Sequence, residues 1–182
     1  MKVMRKTTID ATWKEMEVGD QITLELQGLG ERTVTCHKVT DDAVMFVFDE
    51  AVAERAMNED GRVEGGYFQS DLHKWLNTDF MEMLPEGILY NLVGEITLLT
   101  YGEVFGHDDV PSWIHEDEEE QLPLMKNVLN RIPVLDNETW WGWLQNRASS
   151  SAFARVHDNG GADCYSASDT THYVRPRFLV RR

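Results

Sequence analysis

Between His157 and Tyr173 the chain concentrates side chains that could do chemistry at close quarters: His157, Asp158, Asn159, Asp163, Cys164, Tyr165, Ser166, Ser168, Asp169, Thr171, His172 and Tyr173. The stretch holds no Lys, Glu, Gln, Met, Trp or branched aliphatic residue, in a chain otherwise rich in Glu and Leu. Two chemistries fit these types. Tyr with Ser, Gly and Asn is the composition of recognition surfaces, where rigid aromatic area meets adaptable hydrogen bonding. Ser, His and Asp together are also the ingredients of a hydrolytic triad. No Gly-x-Ser-x-Gly elbow accompanies them, and any loop of this composition would contain such a set. We therefore expect ligand contacts here, at exposed alternate positions such as Asp158, Asp163, Tyr165, Ser168 and Asp169, and assign no catalytic residue and no cofactor.

Three further constellations are weaker. His107, Asp108, Asp109, His115, Glu116 and Glu119 offer oxygen and nitrogen ligands, but no His-Glu-x-x-His or calcium-loop spacing organises them, and such charge runs are usually solvated. We assign no metal site. Cys36 and Cys164 show neither metal-knuckle nor redox spacing and read as free thiols. Trp140, Trp141 and Trp143 could form an aromatic sugar platform. Strand alternation instead sends Trp141 and Trp143 together into the core and Trp140 the other way. Arg147, Arg155, Arg175 and Arg177 are expected to pair with carboxylates.

Positioning the polar stretch requires stiff flanks, and the sequence supplies them. Trp141 to Leu144, Ala152 to Val156 and Val174 to Val180 read as strands, with Phe153, Val156, Val174 and Phe178 holding the frame. Upstream, Ile22, Leu24 and Leu26 alternate with polar residues, Gly28-Leu29-Gly30 turns the chain, Thr33 to Val39 returns, and Ala43 to Phe48 is a continuous apolar run; this is a meander. Glu50 to Asn58 could be helical. Ser70 caps a helix carrying Leu72, Trp75, Leu76 and Phe80. Ile88 to Val93 is a short helix or strand, Ile96 to Leu99 a buried strand, Tyr101 to Phe105 a turn into a short helix, and Leu122 to Ile132 another short helix.

The 182 residues are expected to form one domain over 19–182 behind a polar arm, 1–18, with the polar stretch as an insert at 157–173. A hydrophobic content of 42% excludes a disordered chain, and a net charge of −15 disfavours nucleic-acid backbones, which demand clustered Lys and Arg. No signal peptide and no membrane-inserting apolar run is evident, so the expectation is cytoplasmic synthesis, with surface exposure reached by assembly into a virion. The closing cluster of Arg175, Arg177, Arg181 and Arg182 reads as a solvated or acid-paired tail.

Trp140-Trp141-x-x-Leu144, Phe153-x-Arg155-Val156-x-x-x-Gly160 and Val174-Arg175-Pro176-Arg177-Phe178 resemble the C-terminal signature of an uncharacterised bacterial and phage domain family. That family is related to the C-type-lectin-like and formylglycine-generating-enzyme folds and includes variable proteins of diversity-generating retroelements. Leu72-His73-Lys74-Trp75-Leu76-Asn77 and Leu98 to Gly106 extend the resemblance over most of the chain from about Gly19. It implies an α+β, C-type-lectin-like domain, a small twisted antiparallel sheet with one or two helices, and an extended or irregular edge, in place of a helix, over Glu50 to Asn58. It also implies a surface that binds a protein or glycan receptor on a cell. The lectin triplets Glu-Pro-Asn and Trp-Asn-Asp are absent, so a calcium-dependent sugar site is not carried over. An oxidase of the formylglycine-generating type, acting through Cys164, is the enzymatic alternative, and a structural virion protein without a ligand is the third. In a retroelement, adenine-directed variation of asparagine codons yields His, Asp, Tyr, Ser, Thr, Cys, Gly and Ala, the types that fill 157–173 beside Asn159.

Overall fold

The computed structural model describes residues 11–108, 110–114 and 119–182. The architecture is mixed α+β and mostly sheet. The expected meander forms as β1 (Gln21–Leu26), β2 (Gly30–Val39) and β3 (Ala43–Phe48). The unbroken apolar run of β3 has a physical cause: Phe46 and Phe48 face the main core, while Met45 and Val47 face a second cluster, so both sides are covered. The short edge β4 (Ala53–Glu54) follows in the extended stretch.

Ser70 caps α1 (Asp71–Leu76), its side chain accepting from the His73 amide at 3.0 Å, and Leu72 and Leu76 carry the apolar face into the core beside Phe80. The chain continues through α2 (Glu86–Asn91), β5 (Leu92–Leu98) and α3 (Tyr101–Phe105), the last closed by a capping box between Thr100 and Glu103. Where a helix is expected over Leu122 to Ile132, two separate 3-10 turns form, Pro123–Lys126 and Val128–Asn130. Asn127 divides them by turning extended and accepting from the Leu129 amide with its own side chain.

A ribbon of β6 (Val134–Leu135) and β7 (Glu138–Thr139) leads to β8 (Gly142–Arg147), β9 (Ala152–Val156), β10 (Ala162–Ser166), β11 (Tyr173–Val174) and β12 (Pro176–Arg181). In place of one small sheet there are two of five strands, ordered β1-β2-β3-β12-β5 and β10-β9-β8-β11-β4. Nor is the second wholly antiparallel, since β11 runs parallel to β8. The final strand serves both sheets: β11 ends in one, Arg175 turns the chain, and β12 enters the other between β3 and β5. The frame residues Phe153, Val156, Val174 and Phe178 are all buried. Trp13, at the end of the arm, packs edge-on against Phe46 with ring centroids 5.9 Å apart.

Candidate functional site

Alternation along β9 sends Ala154 and Val156 into the second cluster and Phe153 and Arg155 to the opposite face. The antiparallel register then places Asp163 opposite Arg155, Tyr165 opposite Phe153 and Cys164 opposite Ala154. Asp163 and Tyr165 thus share the face of Arg155, and Cys164 lies on the other.

Arg155 is the hub. Its side chain is 5% exposed. Nε and Nη2 donate to Asp163 Oδ2 at 3.2 and 2.6 Å. The guanidinium carbon sits 3.8 Å from the Trp141 ring centroid and 4.3 Å from that of Tyr165, a cation held between two π faces. Nη1 lies 2.9 Å from His172 Nε2. Arginine has no acceptor, so His172 Nε2 must accept, which puts the imidazole proton on Nδ1, 3.0 Å from Asp169 Oδ1. Burial lowers the His172 pKa to about 4 against the opposing pull of Asp169, so the ring is neutral at pH 7, as its accepting role requires. Asp169 Oδ1 also accepts from the Thr171 amide and hydroxyl, at 2.8 and 2.7 Å. Burial raises the pKa of both Asp163 and Asp169, but hydrogen bonds, from Arg155 and Cys164 in one case and Thr171 in the other, outweigh it and hold both carboxyls below the usual range. His172 stacks on Trp143 at 4.0 Å and 15°, tying this relay to the core.

Over the relay lies an accessible surface. Asn159, Ala162, Tyr165, Ser166, Ser168, Thr170 and Thr171 are exposed, and His157, Asp158, Asp163, Cys164 and Asp169 partly so. Trp140 extends it, stacked on Trp141 at 4.9 Å and 38% exposed, close to the 42% of Tyr165. His157 Nδ1 is 2.5 Å from Asp158 Oδ1, with its ring tilted toward Trp141.

Two of the expected contacts are not at the surface. His172 is fully buried because both ring nitrogens are engaged in the relay. Tyr173 is buried because it is the first residue of β11, paired with Glu54 and Gly142, its amide donating to the Trp141 carbonyl at 2.8 Å. Trp141, expected in the core with Trp143, instead forms a partly exposed cover on Arg155. The arginines also divide: Arg155 and Arg177 pair with Asp163 and Glu103, whereas Arg175 donates to the carbonyls of Phe48 and Asn130.

No family model, curated protein or solved structure matches this chain. The side chains themselves define what the surface can do. No serine addresses His172, whose Nε2 is taken by Arg155, while Ser166 and Ser168 oxygens lie 3.1 Å from each other. Cys36 and Cys164 are both free; burial and nearby carboxylates raise both pKa values, that of Cys36 to about 11. Among the described residues no three His, Cys, Asp or Glu side chains converge as metal ligands. Asp109, His115 and Glu116 of the acidic section lie outside the described residues. No described helix is long and apolar enough to cross a membrane.

Proposed function

We propose that this chain is a ligand-binding protein whose 157–173 segment and Trp140 form a receptor-facing surface on a C-type-lectin-like scaffold, of the kind used by phage or bacterial retroelement variable proteins. One observation carries it: the segment separates into an exposed row, with Asn159, Ser166 and Ser168, and a supporting set, Asp163, Tyr165, Asp169, Thr171 and His172, tied to one another and to Arg155 of β9 by hydrogen bonds and stacking. A hydrogen-bonded, stacked support fixes the loop backbone, so the exposed side chains can be exchanged without refolding it. Tyr165 and Trp140 supply rigid area and the small residues supply adaptable polar contacts, which suits a protein or glycan partner. The oxidase alternative draws no support from Cys164, whose thiol pKa is raised and which faces away from Arg155.

The test is capture of a partner from candidate host cell surfaces by the wild type and by a variant with Asn159, Ser166 and Ser168 replaced by Ala and Tyr165 by Phe, which keeps the ring on Arg155. Loss of capture with an unchanged unfolding midpoint supports the proposal. Equal capture by both proteins contradicts it. The gene offers an independent check: codons of the exposed row should end in a pyrimidine, and a near-identical template repeat beside a reverse transcriptase should carry adenines at their variable bases.

A further inference from the structure

A second cleft, of about 320 Å³, opens where β1, β2 and the end of β3 face the connection running from Leu124 to Val134. Alternation along β2 buries Val34 and Cys36 in the main core and turns Thr35 and His37 to the cleft side. Asp49 is oriented from within: Oδ1 accepts from Thr35 Oγ1 at 2.5 Å and Oδ2 from Gln21 Nε2 at 2.9 Å. Arg175, the hinge between the two sheets, also lines the cleft. Its Nε and Nη1 donate to the Phe48 and Asn130 carbonyls at 2.8 and 2.7 Å, and among the described residues it forms no ion pair with a carboxylate. Asp49, on the same cleft wall, attracts it at longer range, but burial outweighs that attraction and lowers its pKa to about 10, so the guanidinium is only partly compensated. His37 beside it is 3% exposed, and its Nδ1 has no hydrogen-bond partner. Burial and Arg175 lower its pKa to about 4, so at pH 7 it is a neutral ring able to donate or accept.

We propose that this cleft binds a small monocarboxylate that also carries a hydrogen-bond donor and an apolar group, the chemistry of an α-amino or α-hydroxy acid. The carboxylate adds to Asp49 as counter-charge for Arg175, whose guanidinium lines the cleft. Asp49 uses one lone pair on each oxygen internally and keeps others for a ligand donor. Leu129, Ile132 and Val134 wall the opposite side for the apolar group. A phosphate dianion fits less well, because Asp49 shares the cleft and the net charge is −15.

The experiment is a nuclear magnetic resonance titration of the full chain with L-leucine, with leucinamide, which lacks the carboxylate, and with inorganic phosphate. L-Leucine should shift the Arg175 Nε–H and Gln21 side-chain amide signals saturably, and leucinamide should not. Leu129→Glu, at a side chain 73% exposed and so safe for folding, should weaken leucine binding about tenfold by adding a negative charge to the cleft wall. Unmoved signals up to the solubility limit of leucine would overturn the proposal. So would saturation by phosphate without leucine binding, or a Leu129→Glu protein that binds leucine as the wild type does.

Discussion

Arg155 reaches one carboxylate and one imidazole from between two aromatic rings, and that geometry makes it the most consequential side chain of the surface layer. Arg155→Ala leaves His172 Nε2 without its donor and Asp163 without its cation. Because Asp163 is itself 42% exposed, the loss falls below that of a fully buried pair, at about 2–3 kcal/mol. Arg155→Lys keeps the charge but not the planar fork or its stacking, and should recover less than half of it; urea unfolding of the three proteins checks this order. His172 and His37 carry the pH dependence. Both have folded pKa values of about 4 against an ordinary 6.5, so the unfolded chain takes up protons first as pH falls. Stability from these two rings is therefore complete above about pH 6.5 and is lost between there and pH 4, by at most about 3 kcal/mol each. Denaturant midpoints measured across that window should decline steadily, and a flat profile would show the rings to be protonated already in the fold.

At the scale of elements, the turn from β9 to β10 depends on Gly160. Its φ is +80°, and a Cβ there would meet Val128 Cγ1 at 2.6 Å and the Val128 carbonyl at 2.9 Å. Gly160→Ala should cost more than the about 1–2 kcal/mol of left-handed backbone alone, since the 128–132 turn must also move; calorimetry measures the drop. Ser70→Ala should cost about 1 kcal/mol through loss of the α1 cap. The meander, the Ser70 cap and the α3 turn were legible because local spacing decides them. Of the second sheet, β8 and β9 are legible in the same way, while β4, β10 and β11 are not. β4 and β11 are two residues each, too short for a periodicity, and their pairing is set by the chain reaching back from Val174 to Ala53. In the insert, composition identified Tyr165 and Ser168 as surface but carried no information on direction, so His172 and Tyr173 were placed outside with them. Arg155 could be read as acid-paired, but not as a hub, because that depends on the β9–β10 register.

For the whole molecule, an excess of 32 acidic over 17 basic residues makes self-repulsion a standing cost. Raising ionic strength from low values to about 0.15 M should increase the unfolding midpoint by screening that repulsion, the reverse of a fold held by surface ion pairs. The same imbalance predicts no retention on duplex DNA at that salt. The proposed function requires that the two sheets hold shape while a surface layer over them is free to vary, and that division can be measured directly. A displayed library randomised separately at Asn159, Ser166 and Ser168, and at Arg155, Gly160, His172 and Tyr173, would be selected for protease resistance. The expected result is that the first three positions accept most residue types while the last four return the natural residue. Equal tolerance in the two groups, or intolerance in the first, would contradict a variable recognition surface carried on a fixed frame.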